Sequence, residues 1–151
     1  MLESSRCRNK GNKKLIWVIK HVKKLICPLK RPVFGIYDPL GVKKLFQLRI
    51  GLSQLKKHKY DHKFKDTPSS YCNCGKIEDT RHFMLECPLY STHREELRRN
   101  LNLILLTNNI NPETRDLLKI CLYGDSGLSK DDNVKILKGS ISYIISTNRF
   151  S

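Results

Sequence analysis

Cys72, Cys74, His82 and Cys87 stand in a C-x-C-x7-H-x4-C pattern within sixteen residues. Three thiolates and one imidazole are a donor set that tetrahedral Zn²⁺ takes in structural sites, where four protein ligands leave no position for water. The chemistry expected is therefore the holding of a fold and not turnover. The single residue between Cys72 and Cys74 is a tighter gap than the two to four usual in such sites. The competing reading is of thiols buried as small apolar side chains. A second pair, His58 and His62, has the i, i+4 spacing that can ligate a metal on a helix. No further ligand stands beside it, and a surface pair near phosphates is the expected role.

Short helices must carry these residues. From Lys13 to Cys27 the apolar positions Leu15, Ile16, Ile19, Val22, Leu25 and Ile26 recur at the helical period among lysines, and Pro28 ends the run. This basic amphipathic stretch suits a targeting presequence, a membrane-surface helix or a helix packed on a larger partner, and the last is preferred. Leu45, Leu48, Leu52 and Leu55 predict a second helix over Leu40 to Lys59, weakened at Gly51. Gly75 is suited to positive φ, turning backbone amides towards the thiolates. Asp79 or Thr80 is the expected cap of a short helix carrying His82 to Cys87. On an α-helix these two lie within about 140° of each other and serve together if Cys87 sits where the helix frays before Pro88. Thr92 and Glu95 form a capping-box pattern before Leu97, Leu101, Ile104 and Leu105. Asn111-Pro112-Glu113 reads as the start of a helix through Leu117, Leu118, Cys121 and Leu122, and Ser129 to Asp132 as the cap of a last helix with Val134, Leu137, Ile141, Ile144 and Ile145. No segment alternates with a two-residue period. The expectation is an all-α fold, a small helical domain with an embedded CCHC zinc knuckle. Its segments are a basic N-terminal piece (1–30), a basic helix and linker (31–66), the knuckle (67–90) and a helical region (91–151).

Charge divides the chain unevenly. The total is +15, and residues 1–65, with 18 Lys/Arg against three acids, hold all of it, while residues 66–151 balance at 11 of each sign. An excess of this kind points to a polyanion, with nucleic acid before anionic membrane. Lys43, Lys44, Arg49, Lys56, Lys57, His58, Lys59, His62, Lys63 and Lys65 are the candidate phosphate contacts. Tyr60 and Phe64 interleave with them and offer stacking area to RNA or single strands; equally, they could cover the zinc module. Phe83 is a third candidate for stacking. No apolar run reaches the roughly 18 residues that cross a bilayer, and no apolar signal-peptide core follows Met1. A nuclear or cytoplasmic protein, neither secreted nor transmembrane, is expected.

Several of these segments occur in an order that resembles a known family. Phe34-Gly-Ile-Tyr-Asp-Pro-Leu-Gly-Val42, Leu45-Phe-Gln-Leu-Arg-Ile-Gly-Leu-Ser53 and His58-Lys-Tyr-Asp-His-Lys-Phe64 lead into the Cys/His cluster and Pro88. Leu122-Tyr-Gly-Asp-Ser126 and Ile136-Leu-Lys-Gly-Ser-Ile-Ser-Tyr-Ile-Ile-Ser-Thr-Asn-Arg-Phe150 follow. Over about residues 31–151 the chain is similar to the C-terminal tail of non-LTR (jockey-like) retrotransposon reverse transcriptases. The resemblance implies a zinc-binding, nucleic-acid-contacting appendage to a polymerase, with Cys72, Cys74, His82 and Cys87 as ligands and RNA as the favoured partner. The paired aspartates of a polymerase turn are missing, since Asp131-Asp132 lies at a helix start, and no endonuclease part is present. The expected function is a non-catalytic, zinc-dependent nucleic-acid-binding tail. The alternative is a structural or protein-interaction module packed on an upstream polymerase domain. Catalysis would need an open position on the metal, and Glu86 beside Cys87 faces a shell that is already full.

Overall fold

The computed structural model describes residues 36–151; the amphipathic stretch Lys13 to Cys27 lies outside them. Five α-helices order the described residues: α1 (Pro39–Arg49), α2 (Lys56–Asp61), α3 (Ser91–Thr107), α4 (Leu117–Tyr123) and α5 (Lys130–Ser146). The only β-type pairing among the described residues is one antiparallel bridge between Tyr71 and Ile77. The fold is all-α, as expected.

Helix α5 is the hub, with α1, α3 and α4 all packed against it. Its start is legible in the residues, since Ser129 Oγ accepts from the Asp132 amide at 3.0 Å and two acids occupy the first turn. Leu137, Ile141 and Ile144 face inward from it and meet Leu45 and Leu48 of α1, Leu97, Leu101 and Leu105 of α3, and Ile120 of α4 in one buried cluster. Phe83 and Met84, from the segment between the metal-ligand candidates, complete that cluster and are fully buried. Each such side chain contributes about 1.5–3 kcal/mol by leaving water.

Three expected boundaries are corrected. The helix over Leu40 to Lys59 is two helices, broken where Gly51 takes φ +69°, a conformation that glycine adopts at no steric cost. Leu52 consequently turns outward and is half exposed, whereas Leu55 is buried. The Thr92/Glu95 capping box does not form. A 3₁₀ turn, Pro88–Tyr90, runs directly into α3, so Thr92 already lies inside the helix and no side chain caps it. Asn111 does cap, accepting from the Glu113 amide at 2.9 Å, but only for a 3₁₀ turn over Pro112–Thr114. Extended backbone at Arg115 breaks the run, and α4 restarts at Leu117 under Asp116.

Candidate metal centre

A tight hairpin and one irregular helical turn bring the four ligand candidates together. In the hairpin the Cys72 amide donates to Lys76 O at 2.7 Å and the Gly75 amide to Cys72 O at 2.9 Å. Gly75 takes φ +89°, as its position suggested. That turn aims the Lys76 amide at Cys74, and this hydrogen bond is the first cause holding the Cys74 thiol below its usual value. His82 opens a π-turn over His82–Glu86, where an α-helical turn was expected, and Cys87 follows it in extended backbone before Pro88. Asp79 Oδ1 accepts from the His82 amide at 2.8 Å, which confirms Asp79 as the cap. The Cys87 amide then donates back to His82 O at 2.7 Å. This i→i+5 bond closes one wide turn, so His82 and Cys87 stand on the same side instead of about 140° apart.

The donor atoms of Cys72, Cys74, His82 and Cys87 all lie within 4.8 Å of one another. Cys72 and Cys87 are buried, with Sγ atoms 3.7 Å apart, far beyond a disulfide bond of about 2.05 Å. A tetrahedron with metal–sulfur bonds of about 2.3 Å has sulfur–sulfur edges of about 3.8 Å, so that pair already has the spacing of two ligands. Cys74 Sγ and His82 Nε2 are 3.1 Å apart, slightly inside the corresponding edge of about 3.5 Å. Burial pushes the Cys87 thiol up to about 12; a cation bound there would offset that cost by holding the thiolate. The cluster can hold a metal ion.

Two buried charges that the sequence reading did not single out support this geometry. Arg94, buried in α3, donates through Nε to Met84 O at 3.0 Å and through Nη2 to Cys87 O at 2.6 Å. Its planar fork thereby satisfies carbonyls that the π-turn leaves open, at the end where positive charge is favoured. Tyr143 Oη donates to Phe83 O at 2.5 Å in the same turn. Glu78, also buried, accepts from the Lys56 amide at 2.7 Å, which caps α2, and from Arg149 Nε and Nη2 at 2.8 and 2.7 Å. One carboxylate thus joins the hairpin, α2 and the turn after α5. Burial alone would raise its pKa, but Arg149 and then the Lys56 amide outweigh burial and hold it below the ordinary value. No local signal marks either residue, because their partners arrive from 7 to 71 positions away.

The candidate nucleic-acid contacts divide into two groups. Five of the cations are engaged within the fold. Lys44 Nζ donates to Phe150 O and Arg49 Nε to Leu122 O, while Lys56 Nζ reaches Asn73 Oδ1. Lys57 pairs with Asp61, and Lys59 with Asp66. His58 is not a surface group: its ring lies between Ser53 Oγ at 2.8 Å and Thr80 Oγ1 at 3.3 Å, and burial lowers its pKa. Lys43, Tyr60, His62, Lys63, Phe64 and Lys65 are exposed. Tyr60 and Phe64 are 50% and 56% exposed. Phe83 cannot stack on a base, since it is enclosed by the rings of Tyr90, Tyr143 and Phe150 at 5.2–5.3 Å. Asp132 is occupied at the start of α5, accepting from Ser129 Oγ and Asn108 Nδ2.

No family model, curated protein or solved structure matches the chain. Among the described residues no helix is long and apolar enough to cross a membrane.

Proposed function

We propose that the chain is a non-catalytic nucleic-acid-binding module, stapled by one Zn²⁺ on Cys72, Cys74, His82 and Cys87, and akin to the tail of a non-LTR reverse transcriptase. The observation that carries the reading is the adjacency of the cluster to the basic segment: α2 is capped by Glu78 of the metal hairpin, and the exposed Tyr60, His62, Lys63, Phe64 and Lys65 continue from it. Three thiolates with an imidazole favour zinc among the common divalent ions. A shell of four protein ligands supplies no activated water, so the ion's contribution is to the fold. The residues then do the binding: lysines neutralise phosphates and the two exposed rings receive unstacked bases, which favours RNA or single-stranded DNA over duplex.

The test is a titration of a fluorescent single-stranded oligonucleotide with wild-type protein and with Lys43→Gln/Lys63→Gln/Lys65→Gln. Loss of up to three phosphate contacts should flatten the slope of log K against log salt by up to about 2. An unchanged slope and affinity would sink the reading. A second reading, a module that packs on a polymerase body, draws on Leu103 and Leu106, which stand more than half exposed on α3.

A further inference from the structure

Two adjoining clefts open between α2, the metal hairpin and the turn that follows α5. The larger, about 430 Å³, is lined by Lys56, Asn73, Leu89, Tyr90, Asn148 and Arg149, and Cys72 lies in its wall. The smaller, about 270 Å³, is lined by Lys56, Lys59, Thr67 and Arg149 among others. Lys56 and Arg149 line both, so the two clefts adjoin along these side chains and are together termed the trough. Lys59 carries the trough onward, since its Nζ also stands 5.8 Å from the centroid of the exposed Phe64 ring. The trough thus joins the exposed basic end of α2 to the neutral half of the sequence, where the charge distribution marks no binding residue.

We infer that this trough is the path of a single nucleic-acid strand, with one nucleotide seated in the larger cleft; the inference rests on the nucleic-acid-binding reading above. Three cations, Lys56, Lys59 and Arg149, converge on it from two distant segments. Glu78 and Asp66 are the opposing charges, Glu78 buried and Asp66 exposed on the rim. Lys56 Nζ spends one of its three donors on Asn73, and Arg149 Nη1 has no partner among the described residues. Those donors suit a phosphate. The amides of Asn73 and Asn148 can donate and accept, as recognition of a base edge requires. Tyr90 offers a ring fixed edge-on against Phe83 at 5.3 Å and 73°, and Leu89 gives the rim an exposed apolar side chain. A volume of this size lies in the range of small-ligand pockets and is too small for a duplex. Because Cys72 lies in the wall, metal occupancy shapes the trough.

The experiment is photocrosslinking of the zinc-loaded full chain to a 4-thiouridine-containing single-stranded RNA, with the attached peptides mapped by mass spectrometry. Crosslinks at 88–90 and 147–149, together with those around Phe64, are the expected result. Leu89→Glu, at an exposed rim position, should weaken binding on the order of tenfold at low salt, whereas Leu103→Glu on α3, equal in charge change, should weaken it less than about threefold. Crosslinks confined to 58–65, equal losses in the two variants, or equal competition by duplex or by an acidic peptide would each overturn the trough while leaving the basic surface in place. Absence of any binding by the wild-type chain would overturn the nucleic-acid reading and the trough with it.

Discussion

Arg94 carries much of the local geometry at the scale of single residues. Its guanidinium is buried and holds the carbonyls of Met84 and Cys87, the residues that fix the shape of the π-turn. Arg94→Leu fills the space but leaves those carbonyls unpaired in the interior, so a loss of about 2–3 kcal/mol is expected. Outer-shell changes of this kind typically cost about 10–100-fold in metal affinity, and a competition titration against a chromophoric chelator would measure it. Arg94→Lys should recover little, because an ammonium cannot reproduce the planar fork. The Cys/His cluster itself was legible in the sequence, since Cys and His at short spacing identify one another along the chain. Arg94 was not legible: an arginine in a helix reads as a surface residue, and the turn that requires it is seven residues or more away.

Whether neighbouring elements remain attached depends on Glu78. It caps α2, anchors Arg149 and belongs to the metal hairpin, so three segments share one carboxylate. Its pKa is held below the ordinary 4.5, which sets the sign of its contribution. Stability from the pair is fully present above pH 4.5 and is lost as pH falls through the depressed folded value. Glu78→Gln should therefore lower the urea midpoint at pH 7, and the gap between variant and wild type should close as the pH falls below 4.5; a gap independent of pH would contradict the assignment. The element pattern itself was partly readable. Ser129 declared the start of α5 and Asp79 that of the helical segment leading into the π-turn, because an N-cap acts within three residues. Thr92 and Glu95 misled because Pro88 had already begun a 3₁₀ turn upstream, and the π-turn itself was hidden because no composition rule separates it from an α-turn.

For the whole molecule the cluster is more than an appended finger. Phe83 and Met84 come from between its ligands and lie at 0% exposure in the same core as α1, α3, α4 and α5, so the metal loop and the helical body are one packing unit. Among the described residues the basic set read from the sequence is also reshaped, since Lys44, Arg49, Lys56, Lys57 and Lys59 spend donors on the fold, leaving a smaller exposed set around Lys63 and Lys65. Composition could not distinguish the two groups, because both are basic side chains of the same short stretch, and their partners come from elsewhere in the fold. The binding reading and the trough both presuppose a metal-held hairpin, which makes the metal the point to measure. Native mass spectrometry of the full chain, purified with zinc available, tests it directly. One zinc ion per wild-type chain, absent from Cys72→Ala/Cys87→Ala, is the result expected; a wild-type chain that carries no metal, or a double variant that retains it, would contradict the account.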